Sequence, residues 1–321
     1  MPRSFRGIFL PLLKPYPPPH KIYIYRMNKY GFPYKGSKNK LAERIVKLFP
    51  DADNFYDLFC GGCAITHRAL IENRWNNYVI NDIDSRCPKL FLDAINGKFK
   101  DETRWISRED FFKLKDDDGY VAFCWSFGNN GRCYLYAKDL EPYKKALHCA
   151  LYFSDYSEAK KILNEKIEEI EIEKDFYKKY LLCKKYIKHN PGLERLQSLE
   201  SLERLERLER LESLKRLQSK CKSYAEIEIK PNSIIYCDIP YKNTDNYSNI
   251  DFDHEFFYEW CKKQTELCFI SSYDLPEDFI PIAEFPHRST LCATKNNPVI
   301  EKVFIPKHQI DLYKSKINAC V

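Results

Sequence analysis

Nowhere does the 321-residue chain carry an apolar run of the roughly eighteen residues that a membrane helix needs, which excludes a membrane span. A second Cys-x-x-Cys pair is missing as well. Cys60 and Cys63 have that spacing, but Cys261 and Cys268 stand too far apart for the usual zinc knuckle, so no metal site is expected. Methionine is scarce: only Met1 and Met27 occur, and the globular pattern starts just after the second. The stretch before it is rich in proline, and its apolar patch from Ile8 to Leu13 is too short and too broken for a signal peptide. Residues 1–26 are therefore expected to be a disordered, dispensable leader. Charge of one sign is also lacking. The 52 Lys and Arg exceed the 46 Asp and Glu by six, which suits a phosphate-bearing partner without requiring one.

Cysteine, by contrast, is plentiful. The 13 cysteines are scattered singly through apolar runs such as Ile234-Ile-Tyr-Cys237, the pattern of reduced thiols in a cytoplasmic protein rather than of a disulfide framework. From Asn54, Asn-Phe-Tyr-Asp-Leu-Phe leads through Cys60-Gly-Gly into an apolar-periodic run from Ala64 to Asn73: a strand, a tight turn and a helix. Tyr78-Val-Ile80 then reads as a second strand ending at Asn81-Asp82. This β-α-β opening predicts a parallel, doubly wound α/β sheet. Further strands are expected at 233–237, 267–270 and 299–305. The Lys-, Tyr- and Glu-rich helical interval between the halves reads as an insertion, so the core spans 27–87 and 222–321 and the insert 88–221.

Inside that insert, leucines recur every three residues from Leu193 to Leu217 in a low-complexity Leu-Glu-Arg repeat over 193–219. An α-helix turns about 100° per residue, so a period of three drifts by roughly 60° per repeat and spreads the leucines around the cylinder. The expectation is a projecting, Glu/Arg-paired helix outside the core, with a partner-binding helix as the alternative.

Two places carry chemistry. Gly61-Gly62, behind Asp57-Leu-Phe59, lets a ligand approach a helix N-terminus, and Asp82 stands where such sheets grip ribose hydroxyls, or else caps a helix. Asp238-Ile239-Pro240-Tyr241 follows a buried strand and so lies at the carboxyl edge of the sheet, where α/β ligands bind. An exocyclic adenine amine is a poor nucleophile, because its lone pair is delocalised. A carboxylate (Asp238) and a neighbouring carbonyl (Ile239) accepting its N–H bonds would localise that pair, while Tyr241 stacks on the base and Pro240 stiffens the loop. The bland alternative is a turn with a capping Asp.

The motifs in chain order are Pro33-Tyr-Lys-Gly-Ser-Lys38-Asn-Lys-Leu41, Asp57-Leu-Phe-Cys-Gly-Gly-Cys63, Asn81-Asp82-Ile83, Cys221-Lys-Ser-Tyr224-Ala-Glu226, Tyr236-Cys-Asp-Ile-Pro-Tyr241 and Phe269-Ile-Ser-Ser-Tyr-Asp274. With His287-Arg-Ser289 and Glu301-Lys-Val-Phe304, they resemble the Dam-type (D12 class) DNA adenine methyltransferases over about residues 28–307. The resemblance implies a Rossmann-like, mixed, mainly parallel sheet of the class I S-adenosylmethionine-dependent methyltransferases with an inserted helical target-recognition module. It implies methyl transfer to adenine N6 in double-stranded DNA after base flipping, by a monomer that uses no metal and no covalent cysteine. A cognate restriction endonuclease is an open partner. Carried over residue by residue, the resemblance assigns cofactor contacts to Tyr34, Lys38, Asp57, Gly61, Asp82, Ser223, Tyr224 and Asp238, and catalysis to Asp238, Ile239, Pro240 and Tyr241. Cys63 and Ile239 replace a usual glycine and proline, so the alternative is a weak or inactive DNA-binding protein on the same scaffold. Trp125-Ser-Phe-Gly-Asn-Asn-Gly-Arg132 resembles the family's target-reading hairpin, with Arg132 for guanine and Asn129 or Asn130 for adenine. Lys144, Lys145, Lys178, Lys179, Lys184, Lys185, His287 and Arg288 are candidates for phosphate contacts, although for most of the lysines a solvated helix face is the plainer reading.

Overall fold

Apolar runs bounded by turn formers become the strands of one sheet in the computed structural model, which describes residues 30–163, 167–187, 197–206, 208, 216–241, 252–288 and 298–318. The expected leader, residues 1–26, lies outside the described residues. The strands are β1 (Asn54–Asp57), β2 (Asn77–Asn81), β3 (Leu217–Lys220), β4 (Ser233–Asp238), β5 (Leu267–Ser272), β6 (Phe279–Arg288) and β7 (Pro298–Pro306). They form a seven-stranded sheet in the order β3-β2-β1-β4-β5-β7-β6. The first five run parallel, and β7 lies antiparallel to both β5 and β6. The order reverses between β1 and β4, and at such a reversal the carboxyl ends of neighbouring strands open into a crevice.

Both faces of this sheet are covered, which is why its central strands read as unbroken apolar runs rather than as alternation. Side chains still alternate by position. Phe55, Tyr78, Ile234, Tyr236 and Phe269 belong to one core cluster, whereas Tyr56, Val79, Ile235, Cys237, Cys268 and Ile270 belong to another. In chain order the helices are α1 (Ala42–Val46), α2 (Ala64–Glu72), α3 (Arg86–Ile95), α4 (Arg108–Leu114), α5 (Gly119–Cys124), α6 (Glu141–Phe153), α7 (Ser157–Leu163), α8 (Glu168–Ile172), α9 (Phe176–Ile187), α10 (Gln197–Glu206), α11 (His254–Lys262) and α12 (Ile310–Asn318). The first cluster takes in α1, α3 and α5, and the second takes in α11.

Two expectations require correction. The described part of the Leu-Glu-Arg repeat does not project from the molecule: Leu202, Leu205 and Leu208 are buried in the main core, and α10 packs on α3 and α5. A drift of roughly 60° per repeat disperses nine leucines but keeps three within about 120°, an ordinary core-facing stripe. The repeat is also held by polar contacts. Ser198 shares a 2.9 Å hydrogen bond with the Tyr136 hydroxyl, and Arg204 donates to the carbonyls of Gly31 (2.8 Å) and Tyr30 (2.6 Å). The tail of the repeat is not helical: Leu217–Lys220 is the edge strand β3, paired with β2.

The second correction concerns the insert. Helix α3, helix α5 and residues Tyr134 to Tyr136 share the core of the sheet, so much of 88–221 belongs to the main body. A separate small core gathers only Ala146, Leu147, Ala150, Leu151 and their neighbours up to Cys183, contributed by α6 to α9. No helix among the described residues is long and apolar enough to cross a membrane.

Candidate active site

Glycine permits the close approach from which the site is built. Gly31 adopts φ +65°, and a Cβ there would stand 2.0 Å from the Gly62 carbonyl oxygen. At Gly62 a Cβ would stand 2.6 Å from the Tyr34 Cβ. With both side chains absent, the segment from Gly31 to Lys38 lies on the turn after β1, where the Phe32 N–H donates to the Gly62 carbonyl at 2.9 Å. Cys63 closes the turn at φ 53° with its side chain fully buried, a left-handed conformation that costs a residue with a Cβ roughly 1 kcal/mol. The turn itself survives the replacement. Cys63 still accepts the first helical hydrogen bond of α2, from the His67 N–H at 2.9 Å.

Beneath the turn sits a cavity of about 390 Å³, lined among others by Tyr34, Lys38, Asp57, Gly61, Asp82, Ser223, Tyr224, Asp238, Ile239, Pro240 and Tyr241. All the residues assigned to cofactor and catalysis thus meet in one space. Asp57, at the end of β1, accepts a 2.6 Å hydrogen bond from Thr66 through Oδ2, while its buried Oδ1 has no hydrogen-bonding partner. The Oγ of Ser37, another lining residue, is buried in the same state. Asp82 accepts the backbone N–H of Gly61 (2.8 Å) on Oδ2 and that of Asp84 (2.9 Å) on Oδ1. Burial raises the Asp57 carboxyl to about 7 and that of Asp82 to about 6, the latter against the opposing pull of its two N–H donors. Aromatic rings close the far end. Phe59 packs on Tyr224 with centroids 5.3 Å apart and on Phe252 at 5.7 Å, and Phe256 lies exposed at the rim.

At the other end the Asp-Ile-Pro-Tyr edge is wired together by charge. Lys38, only 8 % exposed, places its ammonium 2.7 Å from Asp238 Oδ1 and 2.6 Å from the Tyr241 hydroxyl. Tyr241 in turn donates to both oxygens of Glu301, each at 2.8 Å, and stacks on Tyr273 with centroids 4.2 Å apart. Burial raises the Asp238 carboxyl and the Lys38 ammonium opposes it; around Lys38 the two carboxylates outweigh burial and hold the amine above its ordinary value. Ile239 is buried against the second core cluster, so the residue in place of the usual proline serves packing as well as lining the cavity.

Sequence reasoning assigned no role to Ser37, Phe59, Phe252, Tyr273 or Glu301. For Glu301 a signal was available: an acid inside Val299-Ile-Glu-Lys-Val-Phe-Ile305, a run otherwise suited to a buried strand.

Asn129, Asn130 and Arg132, assigned to DNA, do not line this cavity. A short hairpin does form, with Ser126 bridged to Tyr134. Asn129 is committed to the turn, since its side-chain amide donates to the Phe123 carbonyl at 2.7 Å while its own carbonyl accepts from the Lys35 N–H at 3.1 Å. Asn130 Oδ1 accepts from the Arg132 N–H, and the Arg132 side chain is exposed beside exposed Phe127. Of the lysines, Lys145, Lys178 and Lys185 are exposed, but Lys144 and Lys179 are buried and cannot meet a phosphate from where they stand. Lys179 donates to the Tyr156 hydroxyl at 2.6 Å. The side chains of Lys184, His287 and Arg288 lie outside the described residues. Among the described residues no group of three or more His, Cys, Asp or Glu is placed to hold a metal ion.

A mainly parallel sheet with its crevice at the β1/β4 reversal, a glycine turn facing an acid after β2, and an Asp-Ile-Pro-Tyr edge after β4 define a class I methyltransferase. The family model of the D12 class N6 adenine-specific DNA methyltransferases matches residues 34–260, and the chain belongs to that family. Its activity is the methylation of adenine N6 in DNA.

Proposed function

We propose that the methyl donor is S-adenosylmethionine, that the substrate is double-stranded DNA with the target adenine flipped into the cavity, and that the residues meeting there divide the work between two ends. One observation carries the reading: the glycine turn, two acids and the Asp-Ile-Pro-Tyr edge bound a single cavity of about 390 Å³. The donor fits the residues present. Each Asp82 oxygen accepts only one backbone N–H, which leaves capacity for a ribose diol, and Asp57 Oδ1 and Ser37 Oγ are buried acceptors in want of a donor. Phe59, Tyr224 and Ile83 supply apolar surface for an adenine ring.

When bound, the donor supplies an electrophilic methyl group. The chain's own residues prepare the nucleophile. Lys38 engages Asp238 Oδ1 and favours the ionised carboxylate against burial, and Oδ2 is assigned to the target amine. The Ile239 carbonyl accepts the second N–H, and the Tyr241 face opposite Tyr273 stacks on the base. After transfer, Asp238 Oδ2 takes the proton that the methylated nitrogen releases. The hairpin is tied to the cavity wall through Lys35, so Arg132 and Asn130 at its tip read DNA next to the flipped base. One chain supplies every group, in keeping with a monomer, and the free thiols suit the cytoplasm.

Calorimetric titration with S-adenosylmethionine tests the donor assignment. Micromolar binding by the intact chain is expected to weaken at least about tenfold in Asp82→Ala, the loss of hydrogen bonds to a charged acceptor. Equal affinity in the two proteins refutes the assignment. Labelled methyl transfer to duplex DNA in the presence of excess duplex RNA tests the substrate, and RNA labelled in preference to DNA refutes it.

A further inference from the structure

The cluster at Lys38 holds one group that the proposed chemistry does not use. Glu301 lies in β7, beyond β5 from the catalytic strand, and its side chain is only 2 % exposed. A carboxylate buried this deeply is costly unless its oxygens are satisfied. Here both accept from the Tyr241 hydroxyl at 2.8 Å, and Oε1 stands 3.8 Å from the Lys38 ammonium. Among the described residues, the hydrogen-bond and ion-pair partners of Glu301 are thus members of the catalytic edge rather than of the structural core. Tyr241 is gripped on two sides, by Glu301 at its hydroxyl and by Tyr273 on one ring face.

We propose that Glu301 is a positioning residue for methyl transfer: it fixes the Tyr241 ring through its hydroxyl and shares Lys38 with Asp238, so that stacking face and carboxylate meet the flipped adenine as one rigid unit. The inference rests on the reading that Tyr241 stacks on the target. It is also a matter of charge. A single ammonium serves two carboxylates and stands closer to Asp238 (2.7 Å) than to Glu301 (3.8 Å), so it favours the ionised form of Asp238 more strongly than that of Glu301. Burial pushes Glu301 up to about 7, and the groups facing it are Lys38, Asp238, Tyr241, Tyr236 and Tyr273. Replacing it by glutamine leaves Lys38 to Asp238 alone and moves the acidic limb of the pH–rate profile to lower pH.

The test compares the full chain with Glu301→Gln, Tyr241→Phe and the double variant. Single-turnover transfer from labelled S-adenosylmethionine to duplex DNA is measured together with donor affinity. Glu301→Gln should slow transfer by about tenfold or more and leave the dissociation constant of the donor within about twofold. The double variant should be no slower than the slower single variant, because Glu301→Gln weakens, and Tyr241→Phe removes, the same charge-assisted hydrogen bond. Glu301→Gln turning over within about twofold of the parent, or losses that multiply in the double variant, overturns the inference. If Glu301→Gln does not fold, Tyr241→Phe cuts the same bond from the other end, and its full activity is the overturning result. A parent chain that does not methylate DNA refutes the functional reading itself, whereas an active parent with an equally active Glu301→Gln refutes only the role of Glu301.

Discussion

Asp57 is a buried acid with one satisfied oxygen and one bare one, and its behaviour with pH follows from that. Its folded-state value of about 7 lies above the ordinary carboxylate range, as do those of Asp82 at about 6 and Glu301 at about 7. The folded chain therefore binds protons more tightly than the unfolded one. The stability these groups contribute is complete below about pH 4 and is lost as pH rises through 6 to 7. Asp57→Asn removes that loss at the most buried of the three, and urea denaturation should show it more stable than the parent by on the order of 2 kcal/mol at pH 8, with little difference at pH 4. Lys38→Met has the opposite sign. It leaves Asp238 and Glu301 buried without their cation, so it should cost about 3 kcal/mol at pH 8 and less at pH 5, where the carboxylates take up protons. Equal losses at both pH values would speak against the charge argument. These carboxylates also show where sequence reading stops. Asp238 and Tyr241 stand in a motif whose spacing announces a task, but Glu301 and Lys302 are adjacent charges in a strand, and alternation alone does not say which of them faces inward.

At the scale of elements, the repeat shows how a correct periodicity argument can be applied over the wrong length. The drift that scatters nine leucines is harmless within α10, because Leu202 and Leu205 lie only about 60° apart around the helix and both reach the core. Truncating Leu205, fully buried against the main body, should accordingly cost about 3 kcal/mol in denaturant unfolding, whereas a leucine on a projecting helix would cost under about 0.5 kcal/mol. β3 was illegible for a related reason: Leu217-Gln-Ser-Lys220 continues the leucine period, lies exposed along an edge, and becomes a strand only because β2 offers it a parallel partner. By contrast, β1, β2, β4 and β5 were plain, since strands covered on both faces must be apolar throughout.

Over the whole molecule, the main body and the small core of α6 to α9 have separate hydrophobic interiors, and the Ser126–Tyr134 hairpin belongs to the main body through Lys35 and Phe123. On the reading that the hairpin meets DNA, recognition and chemistry are expected to be separable by mutation, since Arg132 does not line the cavity. Arg132→Ala should weaken DNA binding and relax sequence preference at one position by about 1–3 kcal/mol, with the affinity for S-adenosylmethionine unchanged; filter binding at fixed salt checks the first and calorimetry the second. The account as a whole stands on the carboxylate at the end of β4. Purified chain and Asp238→Ala are incubated with duplex DNA and S-adenosylmethionine, and the digested nucleosides are weighed by mass spectrometry. The parent should yield N6-methyladenine, and Asp238→Ala none while still binding the donor. Modification of another base, or normal N6-methyladenine from Asp238→Ala, contradicts it.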